Sequence, residues 1–298
     1  MRVPAGYRIG AATHTGLVRS CNEDDYLIAA DRSPGLVAAV ADGLGSIAGG
    51  AEASRTALRA AAIELLGRGA ESADEQAMAM AFARAGDRVA ELARETPQLR
   101  EMGTTLTVMV FANARGVLGH IGDSRAYLLR RGSLARLTED HAISGRQNIL
   151  TRCIGAGRQC ETPDVGIIEI EDGDRIAICS DGIWGMLDER AMGEILRERS
   201  PQNAARALVG AALAAGGPDN ATAVVIDRDH GASSHVAELP EGEEGGEVLR
   251  FRVPPLRGHR GAALLAAISL VVIALTFLRF AEGPDPLGWL WSLLAGQR

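Results

Sequence analysis

Apolar residues along the first 229 positions recur in two kinds of pattern. Short apolar runs predict strands, and longer stretches with apolar residues every three or four positions predict helices. The predicted strands cover residues 7–11, 26–29, 36–41, 105–111, 117–121, 126–129, 175–179 and 221–226. The predicted helices cover residues 50–66, 73–95, 189–198 and 201–215. Because strands and helices are grouped and do not strictly alternate, the order favours an α+β layering over a parallel βαβ wheel.

The helix predicted over residues 73–95 has a clear apolar stripe. Its apolar residues recur at helical spacing and predict core contacts: Met78, Phe82, Ala85, Val89 and Leu92. Ser72 and Glu75 have the spacing of a capping box, which predicts the start of this helix. No internal repeat of 20 to 50 residues is present, so residues 1–229 are expected to form one domain.

The pattern changes after residue 229. Residues 230–260 are rich in Gly, Glu and Pro and predict a flexible charged linker. Residues 261–280 contain 17 consecutive apolar or small residues, which predict a short transmembrane helix, with a buried core helix as the alternative. Arginines before this segment place the large N-terminal part in the cytoplasm of a single-pass inner-membrane protein. Residues 281–298 are then a short extracytoplasmic tail whose tryptophans suit the membrane interface.

Composition excludes several classes of function. The net charge of −7 argues against a broad nucleic-acid surface. All 31 cationic residues are arginine, so Walker-type phosphate loops, Schiff-base chemistry and lysine general bases are excluded. The four cysteines form no CxxC motif, which indicates reduced thiols in a cytosolic domain.

Five aspartates lie beside Gly, Ser or Asn at the ends of strand-like runs: Asp24, Asp42, Asp123, Asp181 and Asp219. Each alone is also an ordinary turn residue. Together they supply the oxygen-rich environment that Mg or Mn prefers, and metal-assisted hydrolysis is the expected chemistry. The Gly-rich stretch after Asp42 offers a dinucleotide-binding alternative. That alternative places a carboxylate where pyrophosphate would lie, and the acid about 20 residues on, Glu64, falls inside a helix.

Six ordered motifs carry a resemblance to a known family. They are Arg19 with Asn22-Glu23-Asp24, ADGLGS with Ala53-Ser54, Gly103-Thr104-Thr105, GDSRAYLLRRG with LTEDH, CSDGIWGML, and GPDNATAVVI. Through them residues 7–228 resemble a bacterial type 2C (PPM-type) Ser/Thr protein phosphatase. The resemblance implies a four-layer α-β-β-α sandwich, in which two antiparallel sheets are flanked by helix pairs.

The resemblance also implies a metal centre with two Mn or Mg ions. Asp42 matches the carboxylate that bridges the two ions, with the Gly43 carbonyl and Glu23 on one ion. Asp181 and Asp219 match the ligands of the other ion. Asp123 matches a position that, with Asp181, holds a third and weaker ion.

Three further positions take roles from the same resemblance. Asp24 matches the residue that orients the attacking water, and Asn220 matches a residue that supports the metal ligands. Arg19 matches the guanidinium that clamps substrate phosphate, a role that suits its planar donor fork.

The chain departs from the family pattern at two places. Leu44 stands where some members carry a histidine as a proposed general acid, and His141 is either a substitute acid or a packed, turn-capping residue. The segment between His141 and Gly155 is short where bacterial relatives carry a longer flap beside the site.

The function expected from these residues is hydrolysis of phosphoserine and phosphothreonine on proteins, opposing a Ser/Thr kinase at the membrane. The expected partners are phosphorylated proteins, the cognate kinase and the membrane. The alternative is a catalytically weak, phosphatase-like module that binds phosphoproteins as a sensor or scaffold.

Overall fold

The computed structural model describes most of the first 250 residues. The described ranges are 2–30, 35–44, 49–112, 114–143, 149–157, 161–197, 200–233, 235–236 and 247–249. The transmembrane helix predicted at 261–280 and the tail at 281–298 lie outside them. Within the described ranges, no helix combines the length and the apolar character needed to cross a membrane.

The described residues form strands and helices that belong to one compact unit, Met1–Phe251. The strands are β1 (Arg2–Val3), β2 (Tyr7–His14), β3 (Asp24–Ala30), β4 (Gly35–Leu44), β5 (Gly103–Thr104), β6 (Leu106–Ala112), β7 (Arg115–Ile121), β8 (Arg125–Arg130), β9 (Ser133–Arg136), β10 (Ile154–Gly155), β11 (Asp164–Glu169), β12 (Arg175–Cys179), β13 (Ala221–Arg228), β14 (His235–Val236) and β15 (Glu247–Leu249). The helices are α1 (Gly49–Arg68), α2 (Glu75–Glu95), α3 (Asp181–Trp184), α4 (Glu189–Arg197) and α5 (Pro201–Ala214).

The strands build two main sheets. One contains eight strands: β3 and β6 pair with the two edges of β4, β7 and β11 continue beyond β6, and β5, β10 and β15 complete the ends. The other contains five strands in the order β2-β13-β12-β8-β9. Their pairing is antiparallel except between β15 and β3, which run parallel. The predicted pair of antiparallel sheets is therefore confirmed, with that one exception.

Three apolar cores separate four layers. α1 and α2 cover the outer face of the eight-stranded sheet, and the predicted stripe of α2 lies in this core, with Phe82 fully buried and Leu92 partly buried. The second core lies between the sheets, where the rings of Tyr7 and Phe111 meet edge to face at 5.6 Å. Helices α3 to α5 cover the five-stranded sheet through the third core. Burying a side chain such as Phe82 contributes about 2–3 kcal/mol.

The predicted capping box at the start of α2 is wrong. Ser72 belongs to a 3₁₀ turn at Ala70–Ser72, and the N-cap is Asp74. Asp74 has extended backbone angles, and its Oδ1 accepts the Ala77 amide at 2.7 Å. An extended residue can aim its side chain at the first free amides of a helix, which a residue inside a 3₁₀ turn cannot do.

Two short strands lie beyond residue 229, where the sequence predicts the end of the first domain. Within the segment predicted as a linker, β14 pairs with β1 and β15 pairs with β3. The sequence analysis also did not predict the short or partly exposed strands β5, β9, β10 and β11. These strands have few apolar positions of their own; β5, β10 and β11 pair with distant segments, whereas β9 forms a hairpin with β8.

Candidate active site

The acidic residues gather at one edge of the sandwich, beginning with β3 and β4. Asp24 is the first residue of β3 and lies opposite Asp42 of β4. At Asp42 the neighbour of β4 changes from β6 to β5, and Thr105 lies between these two strands. The Asp42 amide donates to Thr105 Oγ1 at 2.9 Å, and the Thr105 amide donates to the Asp42 carbonyl at 2.8 Å. Hydrogen bonds to a neutral side chain therefore hold the Asp42 backbone in place.

The five-stranded sheet contributes the next acid, Asp181. It follows β12 and opens the short helix α3, so it lies at a strand-to-helix turn. Ser180, immediately before it, donates its hydroxyl to Asp24 Oδ2 at 2.6 Å and accepts the Thr222 amide at 3.0 Å. Ser180 therefore joins the two sheets at the site.

Asn220 fixes the loop that carries Glu23 and Arg19. Its side-chain amide donates to the carbonyls of Thr15 and Cys21 at 2.7 and 2.9 Å. Its Oδ1 accepts the Glu23 amide at 2.9 Å. Asn220 thus holds this loop through contacts across about 200 residues of chain.

Gly43 lies where two backbones approach closely. A Cβ added at Gly43 would lie 2.4 Å from the Gly50 backbone and 2.7 Å from the Glu23 carbonyl oxygen. The Glu23 carbonyl accepts both the Gly43 amide at 3.1 Å and the Ser54 hydroxyl at 2.7 Å. A residue other than glycine would push Glu23 away from Asp42.

A cavity of about 140 Å³ brings these residues together. Its lining in the described part of the chain is Arg19, Glu23, Asp42, Gly43, Leu44, Asp123, Leu150, Asp181, Asp219 and Asn220. Eight of the nine residues assigned to the site from sequence line this cavity. The ninth, Asp24, lies opposite Asp42 in the strand pair and accepts a hydrogen bond from Ser180. No histidine is among these lining residues.

Burial without a cationic partner raises the proton affinity of the acids. Burial, and secondarily the charge of Asp24, raises the pKa of Asp42 well above the usual range. Burial also raises the pKa of Asp24 to about 7, and a hydrogen bond from Ser180 opposes that rise. For Asp123, burial and then Asp181 raise the pKa to about 7. For Asp181, burial and then Asp219 raise the pKa to about 6.

Arg19 is the cationic group of the cavity lining. Its Nη2 donates to Asp219 Oδ2 at 2.6 Å, while the Asn220 amide donates to Asp219 Oδ1 at 2.8 Å. About half of the Arg19 side chain is exposed. A guanidinium has five N–H donors, so Arg19 has donors left for an anion in the cavity.

The site has the donors that a hard cation requires. Glu23 Oε1 and Asp24 Oδ1 are buried without a hydrogen-bond partner. Buried carboxylate oxygens without partners are costly unless a cation or a proton compensates them. Within the described ranges, no three His, Cys, Asp or Glu side chains are yet close enough to hold an ion. The oxygen-only donor set suits Mg or Mn.

His141 is a structural residue of the adjacent turn. Its Nδ1 accepts the Gly122 amide at 3.0 Å, and its own amide donates to the Gly122 carbonyl at 2.7 Å. Its Nε2 lies 2.9 Å from Asp164 Oδ2 and 2.8 Å from Arg152 Nη1. Both ring nitrogens are thus engaged and the side chain is buried, so the general-acid alternative for His141 is not supported.

The His141 contacts hold Asp123 and the short flap together. Gly122 precedes Asp123, and Arg152, which also donates to Asp164 at 2.7 Å, follows the flap. The two described ends of the flap form a narrow antiparallel ribbon, in which Ala142 pairs with Leu150. Leu150 is the flap residue that lines the cavity.

Comparisons with known proteins agree with this fold. The sequence profile of the family described as protein phosphatase 2C matches residues 15–215. The chain therefore belongs to the protein phosphatase 2C family.

Two of the similar proteins come from mycobacteria. Serine/threonine protein phosphatase PstP of Mycobacterium tuberculosis is 33% identical over 284 residues, which cover 88% of this chain and 53% of PstP. This chain thus spans about half the length of that relative. The solved catalytic domain of PstP in complex with two manganese ions has a TM-score of 0.65 at 32% identity, covering 74% of this chain and 97% of that one. The PPM Ser-Thr phosphatase MsPP of Mycobacterium smegmatis, solved with cacodylate, has a TM-score of 0.63 at 34% identity, with the same coverage.

Sequence reasoning did not assign roles to three residues of the site. Ser180 links Asp24 to the other sheet, Thr105 holds the Asp42 backbone, and Leu150 lines the cavity. Ser180 carried a usable signal, since a serine before Asp-Gly at the start of a helix is a frequent N-cap. The role of Leu150 depends on how the flap folds over the site, which no local pattern indicates.

Proposed function

We propose that this chain hydrolyses phosphoserine and phosphothreonine on proteins with the help of divalent cations. The observation that supports this most is the set of buried carboxylates in one cavity that also presents Arg19. The carboxylates outnumber the one arginine of the described lining, so they can bind divalent cations. Bound cations and the Arg19 guanidinium would together bind a phosphate dianion.

The ligands in this proposal are the residues assigned from sequence. Glu23 and the Gly43 carbonyl would hold one Mn or Mg ion, Asp181 and Asp219 would hold a second, and Asp42 would bridge them. When bound, the ions would lower the pKa of a water at the site and withdraw charge from the phosphoryl oxygens. The PstP catalytic domain solved with two manganese ions supports this assignment by analogy.

We extend the proposal to a third and weaker ion at Asp123 and Asp181. Asp123 lines the same cavity, and its carboxyl has no arginine as a hydrogen-bond partner among the described residues. Both features suit a cation ligand.

The chain's own groups position the reactants. Arg19 donates to the phosphoryl oxygens and orients phosphorus for in-line attack. Asp24 Oδ1, which has no other partner, accepts a hydrogen bond from the attacking water, while Ser180 holds Oδ2. Because Leu44 replaces a histidine and His141 is engaged elsewhere, we assign protonation of the leaving oxygen to solvent.

The test is turnover by the full chain with p-nitrophenyl phosphate and with a phosphothreonine peptide, in Mn, in Mg and in EDTA. We expect metal-dependent hydrolysis of both. Asp42→Asn and Asp181→Asn should each lower kcat/KM by on the order of a thousandfold, since each removes several kcal/mol of charge stabilisation. Asp87→Asn, on the exposed side of α2, is the matched control and should have no effect.

Turnover that does not need a metal, or that survives both site substitutions, would overturn the proposal. Peptide binding without turnover would favour the alternative function, a phosphoprotein-binding sensor or scaffold.

We further propose that a Ser/Thr kinase supplies the phosphoprotein substrates and that residues 261–280 anchor the protein in the inner membrane, with the catalytic domain cytoplasmic. The apolar run at 262–278 supports the anchor. Membrane fractionation of the full chain and of a chain ending before Gly261 tests it. We expect only the full chain in the membrane fraction, and equal solubility of the two would contradict the anchor.

A further inference from the structure

Large exposed apolar side chains are concentrated beside the cavity. The described part of the chain has six of them: Leu17, Val18, Ile63, Ile143, Ile149 and Ile167. Four belong to the two segments that border the cavity, namely the loop that carries Arg19 and the ribbon that carries Leu150. Exposed apolar side chains gain free energy when something covers them, so their concentration indicates a contact surface.

Leu17 and Val18 are the most exposed of the six, at 64% and 72%. They directly precede Arg19 in the same exposed loop, and Arg19 lines the cavity. On the ribbon, alternate residues point to opposite faces. Leu150 lines the cavity, and Ile143 and Ile149 therefore belong to the other face of the ribbon.

The loop holding Leu17 and Val18 is fixed on both sides. The Leu17 amide donates to the Gly217 carbonyl at 2.7 Å, and the Gly16 amide donates to His14 Nδ1 at 2.9 Å. Asn220 binds the carbonyls of Thr15 and Cys21. A fixed loop that exposes two apolar side chains to water is a preformed surface, which binds at lower entropic cost than a mobile one.

We propose that Leu17 and Val18 form a substrate-binding shelf that selects phosphoproteins with a large apolar residue one or two positions from the phosphorylated serine or threonine. Consecutive Cα atoms lie about 3.8 Å apart in both chains. Because Leu17 and Val18 adjoin Arg19 in the chain, residues that flank a phosphoresidue held by Arg19 can reach them, and Leu150 borders the cavity on the flap side. This inference rests on the proposed phosphatase function and names its substrate class.

The test compares three phosphothreonine peptides that differ only at the flanking positions, which carry leucine, serine or arginine. With the full chain in Mn, we expect kcat/KM to be about tenfold higher for the leucine peptide than for the serine peptide, mainly through KM. Leu17→Ser and Val18→Ser should each reduce that ratio to about threefold or less. Both side chains are largely exposed, so both variants should fold.

Ile63→Ser is the matched control. Ile63 is 52% exposed and lies on α1, outside the two segments that border the cavity, so the leucine-to-serine ratio should not change. p-Nitrophenyl phosphate, which has no flanking residues, measures the chemistry separately.

Hydrolysis of p-nitrophenyl phosphate without a preference for the leucine peptide overturns the shelf and leaves the phosphatase function standing. A preference for the arginine peptide also overturns the shelf, since it would show that the acidic cavity selects the flanking residues. Absence of all turnover overturns both proposals. If Val18→Ser leaves the peptide ratio unchanged but alters the sedimentation of the protein, the surface belongs to a second copy of the chain.

Discussion

The aspartates at the two ends of the β12–β13 pair differ in whether arginine neutralises them. At one end, Arg130 binds Asp174 through two hydrogen bonds of 2.8 and 2.6 Å, and Arg175 binds Asp227 through two of 2.5 and 2.7 Å. At the other end, Asp181 and its neighbours in the cavity share Arg19, which pairs with Asp219. The same two strands thus carry arginine-neutralised acids at one end and mostly unneutralised acids at the other.

Neutral groups maintain the geometry of the unneutralised end. Thr105 holds Asp42, Ser180 holds Asp24, Asn220 holds Glu23, and His141 holds the turn before Asp123. Ser180 contacts a carboxylate oxygen and the other three bind backbone groups, so none of these contacts cancels the charge of an acid. This end therefore remains attractive to cations, whereas the opposite end contributes to stability alone.

The largest expected difference is in the pH dependence of the metal-free protein. Burial raises the pKa of Asp24 and Asp123 to about 7 and that of Asp181 to about 6, against about 3.9 in an unfolded chain. Between about pH 4 and 7 the folded protein binds more protons than the unfolded chain, so its stability falls as the pH rises. We expect the Tm in EDTA to fall by about 10 °C from about pH 5 to 7.5.

Adding Mn at the higher pH should restore most of that loss. His120, whose pKa burial lowers to about 4, contributes with the opposite sign. Its contribution is the same with and without metal, so the difference between the two Tm curves isolates the site. A Tm in EDTA that rises with pH across this window would contradict the assignment.

At the neutralised end, Asp174→Asn should destabilise the fold. Asp174 is 2% exposed and also accepts the Glu171 amide at 2.7 Å. Removing its charge takes away a buried partner of Arg130, which keeps Glu171 at 3.1 Å, and we expect the free energy of unfolding to fall by about 2 kcal/mol. Urea unfolding measures this, with Asp87→Asn as the control. Phosphatase activity per folded molecule should stay within about twofold, and a large loss of activity would show that the two ends are coupled.

Asp42→Asn should stabilise the metal-free protein, whereas Asp174→Asn should destabilise it. The metal-free protein should gain about 1–2 kcal/mol at neutral pH, because a buried amide needs neither a proton nor a cation. The same substitution should abolish the rise in Tm on adding Mn. Differential scanning fluorimetry in EDTA and in Mn measures both effects. A destabilised Asp42→Asn protein would indicate that Asp42 serves the fold rather than the site.

The smallest expected effect is the difference in stability between two substitutions of His141. His141→Asn keeps an acceptor near the position of Nδ1 for the Gly122 amide, whereas His141→Gln leaves that amide without one. The glutamine variant should be about 1 kcal/mol less stable than the asparagine variant. It should also have the lower apparent affinity for Mn by calorimetry, because the Asp123 turn loosens. Equal affinity in the two variants would remove His141 from the support of Asp123.

Sequence reasoning succeeded where the signal was local. The apolar run at 36–41 indicated a buried strand, and the stripe from Met78 to Val89 indicated the core face of α2. The N-cap of α2 was predicted wrongly, because two nearby residues could each serve as the cap. Ser72 and Asp74 are both good caps, and the 3₁₀ turn that includes Ser72 decided in favour of Asp74. Sequence reasoning also failed for β10 and β15, because each is stabilised by a partner strand distant in the sequence.

The sequence by itself determined that the acids lie beside turn residues and that no lysine is available to neutralise them. Only the tertiary structure decided which acids pair with arginine and which face the cavity. The physical reason is range: periodicity and turn chemistry act over a few residues, whereas Glu23 contacts Asn220 and Arg19 contacts Asp219 across 197 and 200 positions. Those contacts form only when β2 pairs with β13 and the two sheets pack, and with them the charge of the site is set.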